Sequence, residues 1–157
     1  EMTSSLVGSE MCIRDSYLGI ALKQLITARK VSCTLTLEDK VHDKKESVEL
    51  PRFLFVTCMS HRYEGGGFMF CPPAVDHDGV LDLCSVGNIS KGLVLLALPT
   101  AFFGKHYFVK GINAHTATQM SITASAPLWV HTDGEVTRKS RGFRVECLPG
   151  AIRMITP

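Results

Sequence analysis

Val31-Ser32-Cys33-Thr34-Leu35-Thr36-Leu37 alternates apolar and polar side chains one by one. Successive side chains of a strand point to opposite faces, so this stretch predicts a strand buried on one face and wetted on the other. Upstream, the period lengthens: Leu18, Ala21, Leu22, Leu25 and Ile26 fall at helical spacing, with Arg29 and Lys30 where a helix dipole favours cations. Downstream, residues 40–47 (KVHDKKES) predict a charged, solvated hairpin loop, and residues 48–58, rich in Phe and Val, a second strand. A glycine turn at 64–67, a loop at Pro72-Pro73 and a strand over 80–86 follow. Ser90 can cap a short helix through Leu98, which Pro99 ends or kinks because it lacks an amide donor. Short strand candidates then recur at 107–112, 116–123, 128–131, 143–147 and 152–155, separated by turn signals. Many short antiparallel strands with only two helical patches predict a mainly β fold, a sandwich or a barrel.

Composition bounds the function. The chain has 157 residues, about one domain's worth, and its 45% apolar and 20% charged residues describe an ordinary globular protein. A net charge of +2 excludes an electrostatically driven nucleic-acid binder. The six cysteines (Cys12, Cys33, Cys58, Cys71, Cys84, Cys147) are spread singly with no CxxC pair, so neither a zinc site nor a thioredoxin-type motif is written here. With no secretory signal, they are expected to be reduced cytosolic thiols. No apolar run approaches the ~20 residues of a membrane span.

Three glycine-containing motifs can carry chemistry. Tyr63-Glu64-Gly65-Gly66-Gly67-Phe68 allows close backbone approach to a ligand, or is a plain tight turn; it is neither GxGxxG nor a Walker A loop. Pro73-Ala74-Val75-Asp76-His77-Asp78-Gly79-Val80-Leu81-Asp82 offers the carboxylates and loop carbonyls that hard cations require. It does not fit an EF-hand, and Asp-Gly is equally a turn signal. His131-Thr132-Asp133-Gly134-Glu135 follows the apolar Leu128-Trp129-Val130. A carboxylate just past a strand end is well supported to act as a general base on a hydroxyl, although exposed acids in a hairpin turn give the same pattern. There is no HExxH, no GxSxG elbow and no metal-ligand spacing among His42, His61, His106 and His115.

Taken in order, YEGGGF, CPPAVDHDGVLDL, the Gly104-Lys105-His106 triplet, HTDGE and the terminal PGAIRMITP resemble the bacterial diacylglycerol-kinase-like lipid kinases over residues 17–157. The resemblance is to the C-terminal domain of that family. It implies a two-layer antiparallel β-sandwich with an N-terminal helix and one short inserted helix. It further implies part of an enzyme that moves the γ-phosphate of ATP onto a lipid hydroxyl, with diacylglycerol as the default acceptor. Residue by residue, the family's catalytic base falls on Glu135, and its structural Mg2+ loop falls on Asp78 with the carbonyls of Val75 and Val80. Gly65, Gly66, Gly67 and Asp133 would lie near the cleft between domains. Where relatives commonly carry Asn before the glycine triplet, this chain has Ser60.

The family's Gly-Gly-Asp-Gly-Thr nucleotide motif is absent from these residues, so the ATP-binding domain is expected to lie outside them and this chain alone to be inactive. The expected partners are that domain and the lipid substrate at a membrane surface, with a homodimer left open. The implied location is cytoplasmic, peripheral to the inner face of the membrane. Residues 93–103 (LVLLALPTAFF) are the candidate membrane-facing segment, or else a core helix. Two rivals remain: a kinase of related fold acting on a soluble or other lipid acceptor (a sphingoid base, phosphatidylglycerol), and a non-catalytic β-sandwich binding module. Residues 5–16, SLVGSEMCIRDS, resemble translated sequencing-adapter read-through, so residues 1–16 are expected to be a non-native or disordered tail. Setting them aside removes Arg14 against Glu1, Glu10 and Asp15 and moves the charge from +2 to +4.

Overall fold

The computed structural model describes residues 27–64, 67–132 and 135–151. Six strands, β1 (Val31–Asp39), β2 (Lys44–Met59), β3 (Leu81–Gly87), β4 (Ile112–Ala117), β5 (Gln119–Thr132) and β6 (Glu135–Glu146), pair antiparallel in the order β4-β3-β2-β1-β5-β6. One helix, α1 (Lys91–Ala101), is inserted between β3 and β4. The expected N-terminal helix over 18–26, the tail 1–16 and the strand at 152–155 lie outside the described residues.

The sheet cannot be flat. Four strand spacings separate β4 from β5, about 19 Å in a flat sheet. Thr118 alone connects them, and one linking residue spans only about 7 Å between its neighbours. The sheet therefore curls until its edge meets its middle, and β1 comes close to β4. Because each neighbouring pair is antiparallel, β4 and β5 run in the same direction, as one chain path that changes layers at Thr118. That corner is fully tied: Thr118 N–H and Oγ1 both donate to the Glu38 carbonyl (3.0 and 2.9 Å), Lys40 N–H donates to Oγ1 (2.9 Å), and Cys147 N–H donates to the Thr118 carbonyl (2.9 Å). β2 makes the second crossing, pairing β1 up to Phe53 and β3 from there on, with a register shift between Phe53 and Phe55. The fold is mainly β and sandwich-like, with one inserted helix.

Between the layers lie Leu35, Leu37, Phe53, Leu83, Met120 and Ile122. A second core packs α1 on the outside of β3, where Val94 and Ala97 meet Cys84, Val86 and Ile112. β3 is thus buried on both faces, with Leu81 and Leu83 inward and Cys84 and Val86 under the helix.

Several expected boundaries moved. The charged loop at 40–47 shrinks to a turn at 40–43, because Lys44–Ser47 pair with β1 as an exposed strand end. Ser90 does cap α1, its hydroxyl accepting from Leu93 N–H at 3.2 Å, but the helix runs through Pro99 to Ala101. Residues 107–112 are mostly not a strand: a 3-10 turn occupies His106–Phe108, and β4 begins at Ile112. The candidates at 116–123 and 128–131 are redivided at Thr118, and everything after it belongs to one long β5.

Candidate active site

The β5–β6 hairpin outruns its support. β5 pairs with β1 only as far as Cys33↔Ala124, then continues against β6 alone from Leu128↔Ser140 to Thr132↔Glu135. The register shift between Thr123 and Leu128 contains Pro127, whose missing N–H suits a bulge. Thr137 Oγ1 donates to the Val130 carbonyl (3.0 Å), and Lys139 Nζ lies 4.4 Å from the Trp129 ring centroid, so the distal arm has its own cross-strand contacts. At its end Glu135, the first residue of β6, is exposed. Asp133 and Gly134 lie outside the described residues, as do Gly65 and Gly66.

Glu64, at the start of the glycine loop, lies within electrostatic reach of His131 on the distal arm. Glu64 N–H donates to the Phe68 carbonyl (2.8 Å) and Gly67 N–H to the Glu64 carbonyl (3.2 Å), closing a tight reversal in which Gly67 has φ +86°. Glu64 is exposed as a residue, yet its carboxyl is crowded by protein, which raises its pKa; His131 and His61 are near enough to pull it down in part. Sequence reading singled out the glycines and missed Glu64; the only signal was its place beside them in the motif.

The same loop is anchored on its other side to α1. Met69 N–H donates to the Ala101 carbonyl (2.9 Å), and Phe68 stacks on Phe102 with centroids 4.3 Å apart. The Gly-Lys-His triplet serves this joint. Gly104 has φ +64°, and a Cβ there would come within 2.7 Å of Pro72. His106 is buried, its Nε2 donates to the Phe70 carbonyl (3.1 Å), and Tyr107 Oη donates to the same oxygen (2.6 Å). Burial lowers the His106 pKa and this hydrogen bond partly offsets it, as fits a neutral structural histidine.

The acidic loop stands apart. Asp78 is exposed and its Oδ1 accepts from Val80 N–H (3.0 Å) in an Asx turn, while Val75 and Val80 are half-buried. His77 pairs with Asp76 at 2.8 Å. Asp82, only 4% exposed, has its pKa raised by burial and by the neighbouring Asp78. Among the described residues no three His, Cys, Asp or Glu side chains gather as a metal set. A cation here would depend on one carboxylate and main-chain carbonyls, an all-oxygen donor set that suits magnesium retaining several waters. No hydrogen bond or ion pair among the described residues joins Asp78 to Glu135 or Glu64.

Residues 9–156 match the family described as the YegS C-terminal NAD kinase beta sandwich-like domain. The chain belongs to that family. A "Probable lipid kinase YegS-like" protein of Xanthomonas euvesicatoria pv. vesicatoria (strain 85-10) is 35% identical over 98 residues, 61% of this chain and 31% of the relative. A diacylglycerol kinase of Mycobacterium tuberculosis (strain CDC 1551 / Oshkosh) is 26% identical over 96 residues, 61% of this chain and 30% of the relative. Both alignments thus span about a third of the curated relatives' length. The crystal structure of a diacylglycerol kinase from Bacillus anthracis str. Sterne superposes with a TM-score of 0.54 at 20% identity, covering 82% of this chain and 43% of that one, a likeness of fold. Among the described residues no helix is long and apolar enough to cross a membrane.

Proposed function

We propose that this chain is the acceptor-side domain of an ATP-dependent lipid kinase, with diacylglycerol as the acceptor and phosphatidic acid as the product. The observation that carries the reading is Glu135, a carboxylate held at the exposed end of the β5–β6 hairpin. Membership of the YegS C-terminal family supports it. The Glu135 carboxylate accepts the proton of the lipid hydroxyl while that oxygen bonds to the γ-phosphorus; the bond from phosphorus to the bridging oxygen breaks and ADP leaves. The glycine loop, with Gly65, Gly66 and Gly67, lets backbone approach the reacting groups closely, and Asp133 lies beside the base in sequence. ATP is held by a nucleotide-binding domain outside these residues.

Asp78 and the carbonyls of Val75 and Val80 hold Mg2+ in this proposal, and the ion stiffens the loop leading into β3. Magnesium should raise the melting temperature of the chain, and Asp78→Ala should abolish the rise; no rise in the unsubstituted chain removes the ion from the reading. For catalysis, Glu135→Gln in the protein carrying its nucleotide-binding half should lower phosphotransfer about 10²- to 10⁴-fold with unchanged thermal stability. Unchanged activity would leave a non-catalytic binding module, and a preference for a soluble hydroxyl acceptor would displace the lipid.

A further inference from the structure

Helix α1 buries one side and leaves the other bare. Val94, Ala97 and Ala101 face the sheet, whereas Leu96 is 75% exposed, Phe103 75% and Phe108 88%. Leu96 lies within α1, Phe103 just past its C-terminal end, and Phe108 closes the 3-10 turn that follows. Single exposed apolar residues are ordinary; three large ones from one helix and its exit are not.

The charge along this stretch of sequence has one sign. Lys105 and Lys110 are exposed, and the sequence has no Asp or Glu between Asp82 and Asp133. Phenylalanine and leucine rimmed by lysine is the chemistry that suits an anionic bilayer, with rings among the upper acyl chains and ammonium groups at phosphates. A second copy docked here about a two-fold axis would bring the same lysines toward one another, which disfavours it. Phe102, next to Phe103, stacks on Phe68 of the glycine loop, so the ridge adjoins that loop.

We infer that Leu96, Phe103 and Phe108, flanked in sequence by Lys105 and Lys110, form a docking surface for an anionic lipid bilayer, which brings the membrane next to the glycine loop. The purpose of the surface rests on the lipid-kinase reading, but its binding to lipid does not depend on catalysis.

Co-sedimentation of the 157-residue chain with vesicles tests it. The chain should bind vesicles of equal phosphatidylglycerol and phosphatidylcholine, bind phosphatidylcholine alone far more weakly, and release as salt rises. Phe103→Ser with Phe108→Ser should weaken binding about tenfold or more. Lys105→Glu with Lys110→Glu should do so by roughly fivefold per lysine and flatten the salt dependence. All four side chains are exposed, and an unchanged melting curve verifies that each variant is folded. Binding that survives both double substitutions, fails in the unsubstituted chain, or is lost instead with Lys139→Glu overturns the proposal. So does a ridge variant that only splits a dimer. In the protein with its nucleotide-binding half, the Phe variant should still phosphorylate a short-chain, water-soluble diacylglycerol. Loss of the kinase reading would appear in that assay alone, and loss of the docking surface in the vesicle assay alone.

Discussion

Between Gln119 and Ala124, β5 lies between β1 and β6 and buries Met120, Ile122 and Ala124; from Leu128 to Thr132 it has β6 alone, and Trp129 and His131 face water. The two halves of one strand therefore do different work. In the first half, position is fixed from several sides, because the interior core, two ladders and the Thr118 corner all act on the same residues. In the second, shape comes only from cross-strand contacts, and Glu135 sits at its end. In the proposed reaction the Glu135 carboxylate meets an incoming hydroxyl and needs access, which a second ladder or a covering core would remove. The rigid half supplies aim, and the exposed half supplies reach.

That division can be broken most directly at Met120, which is 0% exposed. Met120→Ala should destabilise the fold by about 2–5 kcal/mol, since it leaves a cavity between the layers. Trp129→Ala, on the distal arm and 60% exposed, should cost no more than about 1 kcal/mol in stability, much of it the contact with Lys139. Urea unfolding of the two variants measures both. If the Trp129 variant proved as damaging as the Met120 one, the distal arm would belong to the same cooperative unit as the base.

Much of the fold was legible because one-sided burial writes a period of two. β1 was located from its alternation, and the Ser90 cap was located because a hydroxyl before an apolar run can satisfy an early helix amide. The errors share a different cause. Lys44–Ser47 look like loop residues, but a strand end exposed on both sides tolerates charge on every side chain. The candidates at 116–123 and 128–131 look like separate strands, yet Pro127 between them sits in a bulge where no donor is required. Thr118 carries no signal of its own; its role follows from the one-residue link across a curled sheet, a tertiary fact. At the candidate site, the glycine triplet and Glu135 were legible as motifs. Glu64 was not, because what singles it out is the crowding and the histidines brought from elsewhere in the chain.

Glu64 provides the finest test, since it stands in the anchored glycine loop within electrostatic reach of His131 on the hairpin. Crowding holds its folded-state pKa above that of an unfolded carboxyl, with His131 and His61 opposing. Between the two pKa values the folded chain keeps a proton that the unfolded chain has released, so this group's contribution falls as pH rises through that window. Below the ordinary carboxylate range both states are protonated and the contribution is flat. Glu64→Gln has no proton to release, so the variant should match the original chain in acid and exceed it at neutral pH. The gain should stay under about 1 kcal/mol, because solvent screens so exposed a group. Melting curves across that pH range read the difference directly. A variant that keeps the original pH dependence would mean that the Glu64 carboxyl is open to water, and its interaction with His131 would lose its chemical support. A larger gain, with a loss of stability at neutral pH in His131→Ala, would mean instead that the Glu64 carboxyl is more deeply covered than its exposure indicates.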